Sequence, residues 1–177
     1  KGFVTLRDDL KGMPFLAHPR VEPDGRIWNL GMNGAQAIVW RLAADGALED
    51  ARVVRLPRAA YIHDFTATAR HLVIVLQSWV QVLVLDKDNL DSRRLFELPD
   101  FGFFHLGDAW EEADGTIRFD VCAHADMRFA ATGATEILNG VPLGGEPARL
   151  ALAVLSPDGS ARLERTTVVA EFPRSDP

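Results

Sequence analysis

Residues 103–112 read FFHLGDAWEE and run on through Asp114-Gly115 into the apolar stretch TIRFDV. A histidine, a polar turn and then an apolar strand-like run also occur twice upstream. HPRVEPDGRIWNLG opens at His18 and HDFTATARHLVIVL opens at His63. In those two the apolar run begins nine residues after the histidine, at Ile27 and Leu72; after His105 it begins twelve residues on, at Ile117. The intervals between the histidines are 45 residues (63 − 18) and 42 residues (105 − 63). Four-stranded propeller blades repeat at about 40–45 residues. The innermost strand of a blade faces the central channel. A histidine at the same place in three successive blades would therefore converge on the axis, and converging neutral imidazoles make a transition-metal site. Five histidines in one chain also space evenly by chance at times, so spacing alone leaves that reading standing.

The rest of the chain agrees with an all-β fold. Short runs rich in Val, Ile, Leu and Phe are separated by the turns Asp24-Gly25, Asp45-Gly46, Asp114-Gly115 and Asp158-Gly159. Strands are expected over 27–31, 37–42, 52–56, 61–66, 71–77, 80–85, 92–98, 103–108, 116–122, 150–156 and 161–168. LVIVLQ, SW and VQVLVLD read as one hairpin with poor alternation, hence buried on both faces. Residues 129–147 are rich in Ala, Gly and Thr and read as a long loop, with one helical turn near 134–138. The chain is expected to be a single domain over 1–177.

Composition narrows the function. With 177 residues, 47% of them hydrophobic, the chain can bury one sizeable core. A net charge of −6 without a basic stripe argues against a nucleic-acid partner. The sole adjacent basic pair, Arg93-Arg94, is expected on a solvated turn. One cysteine, Cys122, excludes an intrachain disulfide and fits a cytoplasmic setting. The longest apolar run, 72–85, is interrupted by Gln77, Ser78 and Gln81 and is too short to span a bilayer. The chain opens on Lys1 without a signal-peptide pattern and closes on FPRSDP; both ends read as cut from a larger protein.

MPFLAHPRVEPDGRIW around His18, YIHDFTATARHLVIV around His63, FFHLGDAWEEADGTIRFDV around His105 and the closing AEFPRSDP together resemble the carotenoid cleavage oxygenase family. The order and spacing of all four motifs carry the resemblance, which extends over nearly the whole chain. It implies a seven-bladed β-propeller with ferrous iron, Fe(II), on its axis, of which this chain is the middle, about four blades. It implies that His18, His63 and His105 are three of four histidine ligands, the fourth lying beyond Pro177. Glu171 matches a glutamate that accepts a hydrogen bond from a ligand imidazole. The implied reaction is cleavage of a conjugated C=C bond of a carotenoid, apocarotenoid or stilbene by O2 to two carbonyl products. Phe103, Phe104 and Trp110 are candidates for the wall of an apolar substrate tunnel, with packing as the plainer role. Asp108 departs from the family, which usually has Asn there. An acid so close to His105 would shift the iron's potential or form a different loop hydrogen bond. The family often touches membranes through apolar loops, and 129–143 is the candidate here, with a surface loop as the plainer reading. The phrase DGRIWNLG leans toward a bacterial origin.

Other readings remain beside this one. Three histidines and a water suit a zinc hydrolase on bare chemistry. A non-catalytic propeller fragment with an incomplete metal site is the third. An open array of blades leaves sheet faces uncovered, so poor solubility or self-association is expected of it. His124, two residues from Cys122 on one strand face, is the rival ligand. His71 reads as a surface residue, and Glu111 and Glu112 as members of a solvated loop. A direct His63–Asp64 dyad is excluded if both lie in a strand, because neighbours there point to opposite faces.

Overall fold

The computed structural model describes residues 5–77, 80–128, 132–142 and 146–170. They form two compact units, Lys1–Ile62 and His63–Pro177.

The first unit is one antiparallel sheet of four strands in the order β1 (Arg20–Val21), β2 (Ile27–Asn33), β3 (Gln36–Leu42) and β4 (Leu48–Arg55). Each strand pairs with the next in sequence, so the sheet is a simple meander. The Asp-Gly turns make this possible. Asp24 and Asp45 accept the amide two residues on through Oδ1, and Gly25 and Gly46 take φ of 85° and 86°, where a side chain would be strained. Trp28, Leu30, Ile38, Val39 and Trp40 are all buried. Leu10, at the end of a 3-10 turn over Asp8–Leu10, packs with Leu6 and Met13 on Ile38, Trp40 and Ala51.

The second unit holds two such sheets. One is β5 (Phe65–Ala67), β6 (His71–Leu76), β7 (Gln81–Asp86) and β8 (Arg93–Glu97). The other is β9 (Leu106–Glu111), β10 (Ile117–Ala123), β11 (Arg149–Leu155) and β12 (Ala161–Val169). Every residue of β6 is buried, as its near-continuous apolar sequence requires. Val73, Val75, Val82 and Val84 alternate onto the face that meets Leu106, Ile117, Phe119 and Val121 of the other sheet, forming the unit's core. A register shift between Phe119 and Val121 interrupts the β9–β10 ladder at Asp120.

The fold is all-β, and every expected strand has an observed counterpart. The details differ in places. The described residues carry three four-stranded sheets, beside an expectation of about four blades for the chain. The strands expected over 61–66 and 103–108 begin later, at Phe65 and Leu106, so both histidines stand just ahead of their strands. Arg93 and Arg94 open β8 rather than lying on a turn. Between β10 and β11, the region read as a long loop contains α1 (Ala134–Leu138), with Ile137 and Leu138 exposed. Among the described residues no helix is long and apolar enough to cross a membrane.

Candidate metal centre

Each sheet is preceded by one of the three histidines. His18 stands two residues before β1, His63 two before β5 and His105 one before β9. All three are half-buried.

In the first unit, Asn29 on β2 fixes the approach to His18. Asn29 is buried, accepts the Leu16 amide at 3.0 Å and donates to the Leu16 carbonyl at 2.9 Å. The chain entering the sheet is thus held through both backbone groups of one residue, Leu16.

In the second unit the rings of His63 and His105 meet edge to face, with centroids 5.2 Å apart and planes at 70°. One ring nitrogen of each lies within 4.8 Å of the other. Two nitrogens bound to one first-row metal at about 2.1 Å each stand at most about 4.2 Å apart. Small side-chain rotations therefore suffice for both to reach one ion, and the donor set fits a transition metal. Phe104 packs edge-on against His63 at 4.7 Å and lies beside His105 at 5.9 Å, so it closes one side of the pair with apolar surface.

Three buried polar side chains from the β5–β8 sheet hold the segment that carries His105. Gln77 Nε2 donates to the Phe103 carbonyl at 2.7 Å. Asp64 Oδ2 accepts the Leu106 amide at 2.9 Å. Thr66 Oγ1 donates to the Gly107 carbonyl at 2.7 Å. Sequence reasoning missed these roles. A signal existed: Asp64 and Leu106 are 42 residues apart, the interval that relates His63 to His105, and Thr66 and Gly107 are within one residue of it at 41.

The remaining candidates scatter. Phe103 is fully buried in the core and does not face an open site. Trp110 lies four residues into β9 from Leu106, about 13 Å along an extended strand, and is 40% exposed; the strand carries it away from His105. Asp108 is exposed on β9. Its charge, second to burial, pushes the Asp120 carboxyl above its ordinary range. Cys122 is buried within β10, and His124 forms a bridge with Gly102, its amide donating to that carbonyl at 2.8 Å. Glu171 lies outside the described residues. His71 is not a surface residue. It is buried at the start of β6, and its Nδ1 is 3.0 Å from Oε2 of Glu111, which ends β9 rather than sitting in a solvated loop.

Residues 1–85 match the model of the family described as retinal pigment epithelial membrane protein. No match to the chain was found among curated proteins. Among solved structures, a mutant of the Synechocystis apocarotenoid oxygenase is similar at a TM-score of 0.69 and 16% identity, over 88% of this chain and 39% of that one. The Pseudomonas brassicacearum lignostilbene dioxygenase matches at 0.68 and 20% identity, over 85% and 38%. A cobalt-substituted form of the Synechocystis enzyme matches at 0.70 and 16%, over 89% and 41%. The chain spans about two fifths of the length of these structures. The fold is that of part of the β-propeller these enzymes share, and the chain resembles the carotenoid cleavage oxygenase family through its first 85 residues in sequence and most of its length in fold.

Proposed function

We propose that His18, His63 and His105 are three ligands of an Fe(II) centre in an oxygenase that splits a conjugated C=C bond of a carotenoid, apocarotenoid or stilbene. Each of the three offers an imidazole nitrogen that can serve as a ligand. The observation that carries the reading is the edge-to-face pairing of His63 and His105 at the heads of two neighbouring strands. The position of His18 ahead of its own sheet, the family match and the fold support it.

When bound, ferrous iron held by imidazoles supplies open coordination positions and the redox capacity that O2 chemistry needs. In the overall reaction the C=C and O–O bonds break and two C=O bonds form, so atoms and electrons balance without a further reductant. The protein's part is to hold neutral imidazoles with one nitrogen free to ligate and the other satisfied. Phe104 excludes water from one side of the pair. The substrate is apolar and conjugated, the setting is cytoplasmic, and a peripheral membrane contact through the exposed Ile137 and Leu138 would let it collect such a molecule.

Anomalous diffraction at the iron and zinc edges, from crystals grown with both metals available, tests the assignment. An iron peak bonded to all three imidazoles is the expected result. A zinc peak there would return the hydrolase reading, and no peak at either edge would sink the iron assignment.

A further inference from the structure

We infer that Asp64 is a positioning residue that sets the separation of His63 and His105, an inference that takes its functional meaning from the metal site proposed above. Asp64 is fully buried. Its Oδ1 accepts the amide of Phe65 at 2.8 Å and its Oδ2 accepts the amide of Leu106 at 2.9 Å. Those are the first residues of β5 and β9. One carboxyl group therefore grips the first amide of both strands, and each amide lies within two residues of a histidine.

Burying a carboxyl is costly unless hydrogen bonds compensate it. An apolar side chain would fill the same space without that cost, so packing alone does not account for an acid here. Thr66 and Gln77 also cross to the His105 segment, but each holds a single carbonyl on that segment. Asp64 is the group seen to hold the backbone beside His63 and the backbone beside His105 at once. Because a carboxyl is rigid and planar, it acts as a spacer of fixed length between the two backbones. Ligands held in advance at the right spacing do not have to be ordered when the ion arrives. Groups that orient metal ligands in this way commonly change affinity by about 10–100-fold when altered.

The test compares the full chain with Asp64→Asn and Glu111→Ala. Asn keeps the shape and one acceptor but turns an amide N–H toward a backbone N–H. Glu111→Ala removes the buried contact with His71 at the far end of β9 and leaves both strand-head amides held. Two readouts are taken: Co(II) affinity with its visible ligand-field spectrum, and the ring-proton shifts of His63 and His105 in the metal-free chain. We expect Asp64→Asn to lower affinity about 10–100-fold, alter the spectrum and remove the ring-current displacement that the edge-to-face contact produces. We expect Glu111→Ala to lower the melting temperature while leaving affinity, spectrum and ring shifts alone. Should Asp64→Asn not fold, Asp64→Glu replaces it; the longer arm keeps an acceptor but changes the spacer, and the same losses are expected. Wild-type affinity and ring shifts in a folded Asp64 variant would overturn the inference. So would equal losses in Glu111→Ala, because the role would then be structural. If the unsubstituted chain binds no metal yet its ring shifts still depend on Asp64, the metal reading falls and the positioning role stands.

Discussion

The imidazole of His71 and the carboxylate of Glu111 meet at 3.0 Å, joining the first residue of β6 to the last residue of β9. Both side chains are largely buried, at 10% and 15% exposed, and Arg70 approaches the other carboxylate oxygen at 4.0 Å. This contact sits at the opposite end of β9 from His105. The two sheets of the second unit are thus tied by polar groups at both ends, with apolar side chains filling the interval. Removing Glu111 should therefore cost far more than removing a surface acid. Glu111→Ala is expected to destabilise by about 1.5–3 kcal/mol in urea unfolding, because a buried hydrogen bond to a charged group is lost. A double-mutant cycle with His71→Ala should return most of that as coupling; additive losses would mean the two groups are merely adjacent.

Asp120 should make stability fall as pH rises. Burial, then the charge of Asp108, raises its folded-state carboxyl above the ordinary aspartate range. Between the unfolded and folded values the native state binds more protons, so raising the pH weakens it. The penalty is absent below the unfolded value and complete above the folded one. Asp120→Asn is expected to stabilise the protein at neutral pH by under about 1 kcal/mol, given the partial exposure of the group. The gain should vanish in acid. A gain independent of pH would assign the effect to something other than ionisation.

Gly102 has no room for a side chain. A Cβ there would run into the backbone carbonyl of Asp126, which cannot swing aside as a flexible side chain could. The same residue bridges to His124. Gly102→Ala is expected to cost about 1–3 kcal/mol, the range for overpacking, with a lower urea midpoint and an unchanged m-value.

Metal should stabilise the chain only while the imidazoles are present. An ion that binds the native state alone adds about 2.7 kcal/mol at a hundred times its Kd. Fe(II) under anaerobic conditions is expected to raise the melting temperature, and a chelator to reverse the rise. His63→Ala should abolish it. A rise that survives in His63→Ala would place the ion elsewhere.

Much of this fold is legible in the sequence, because the signals are local. The Asp-Gly turns and the continuous Val- and Leu-rich runs of β6 and β7 mark strands within a few residues, and the repeated contexts of His18, His63 and His105 mark the heads of the sheets. Two-residue β1 was not anticipated, since so short a strand has no period to read. The site was legible in its histidines and not in what holds them. Asp64, Thr66 and Gln77 act on backbone groups 42, 41 and 26 residues away. A backbone partner leaves no residue type in the sequence to recognise. His71 and Glu111 were misread for a related reason: they are 40 residues apart, and each looks hydrophilic in its own neighbourhood.

Cys122 is 1% exposed in the middle strands of its sheet and is the chain's single cysteine. A thiol so enclosed is out of reach of an alkylating reagent until β10 separates from its neighbours. Its modification rate is therefore a clock for that opening, read without any introduced label. In the regime where reclosing outruns alkylation, the rate divided by that of an unfolded thiol gives the opening equilibrium directly. Recording it with and without an added ion would report whether filling the site stiffens a strand whose neighbour, β9, begins beside His105.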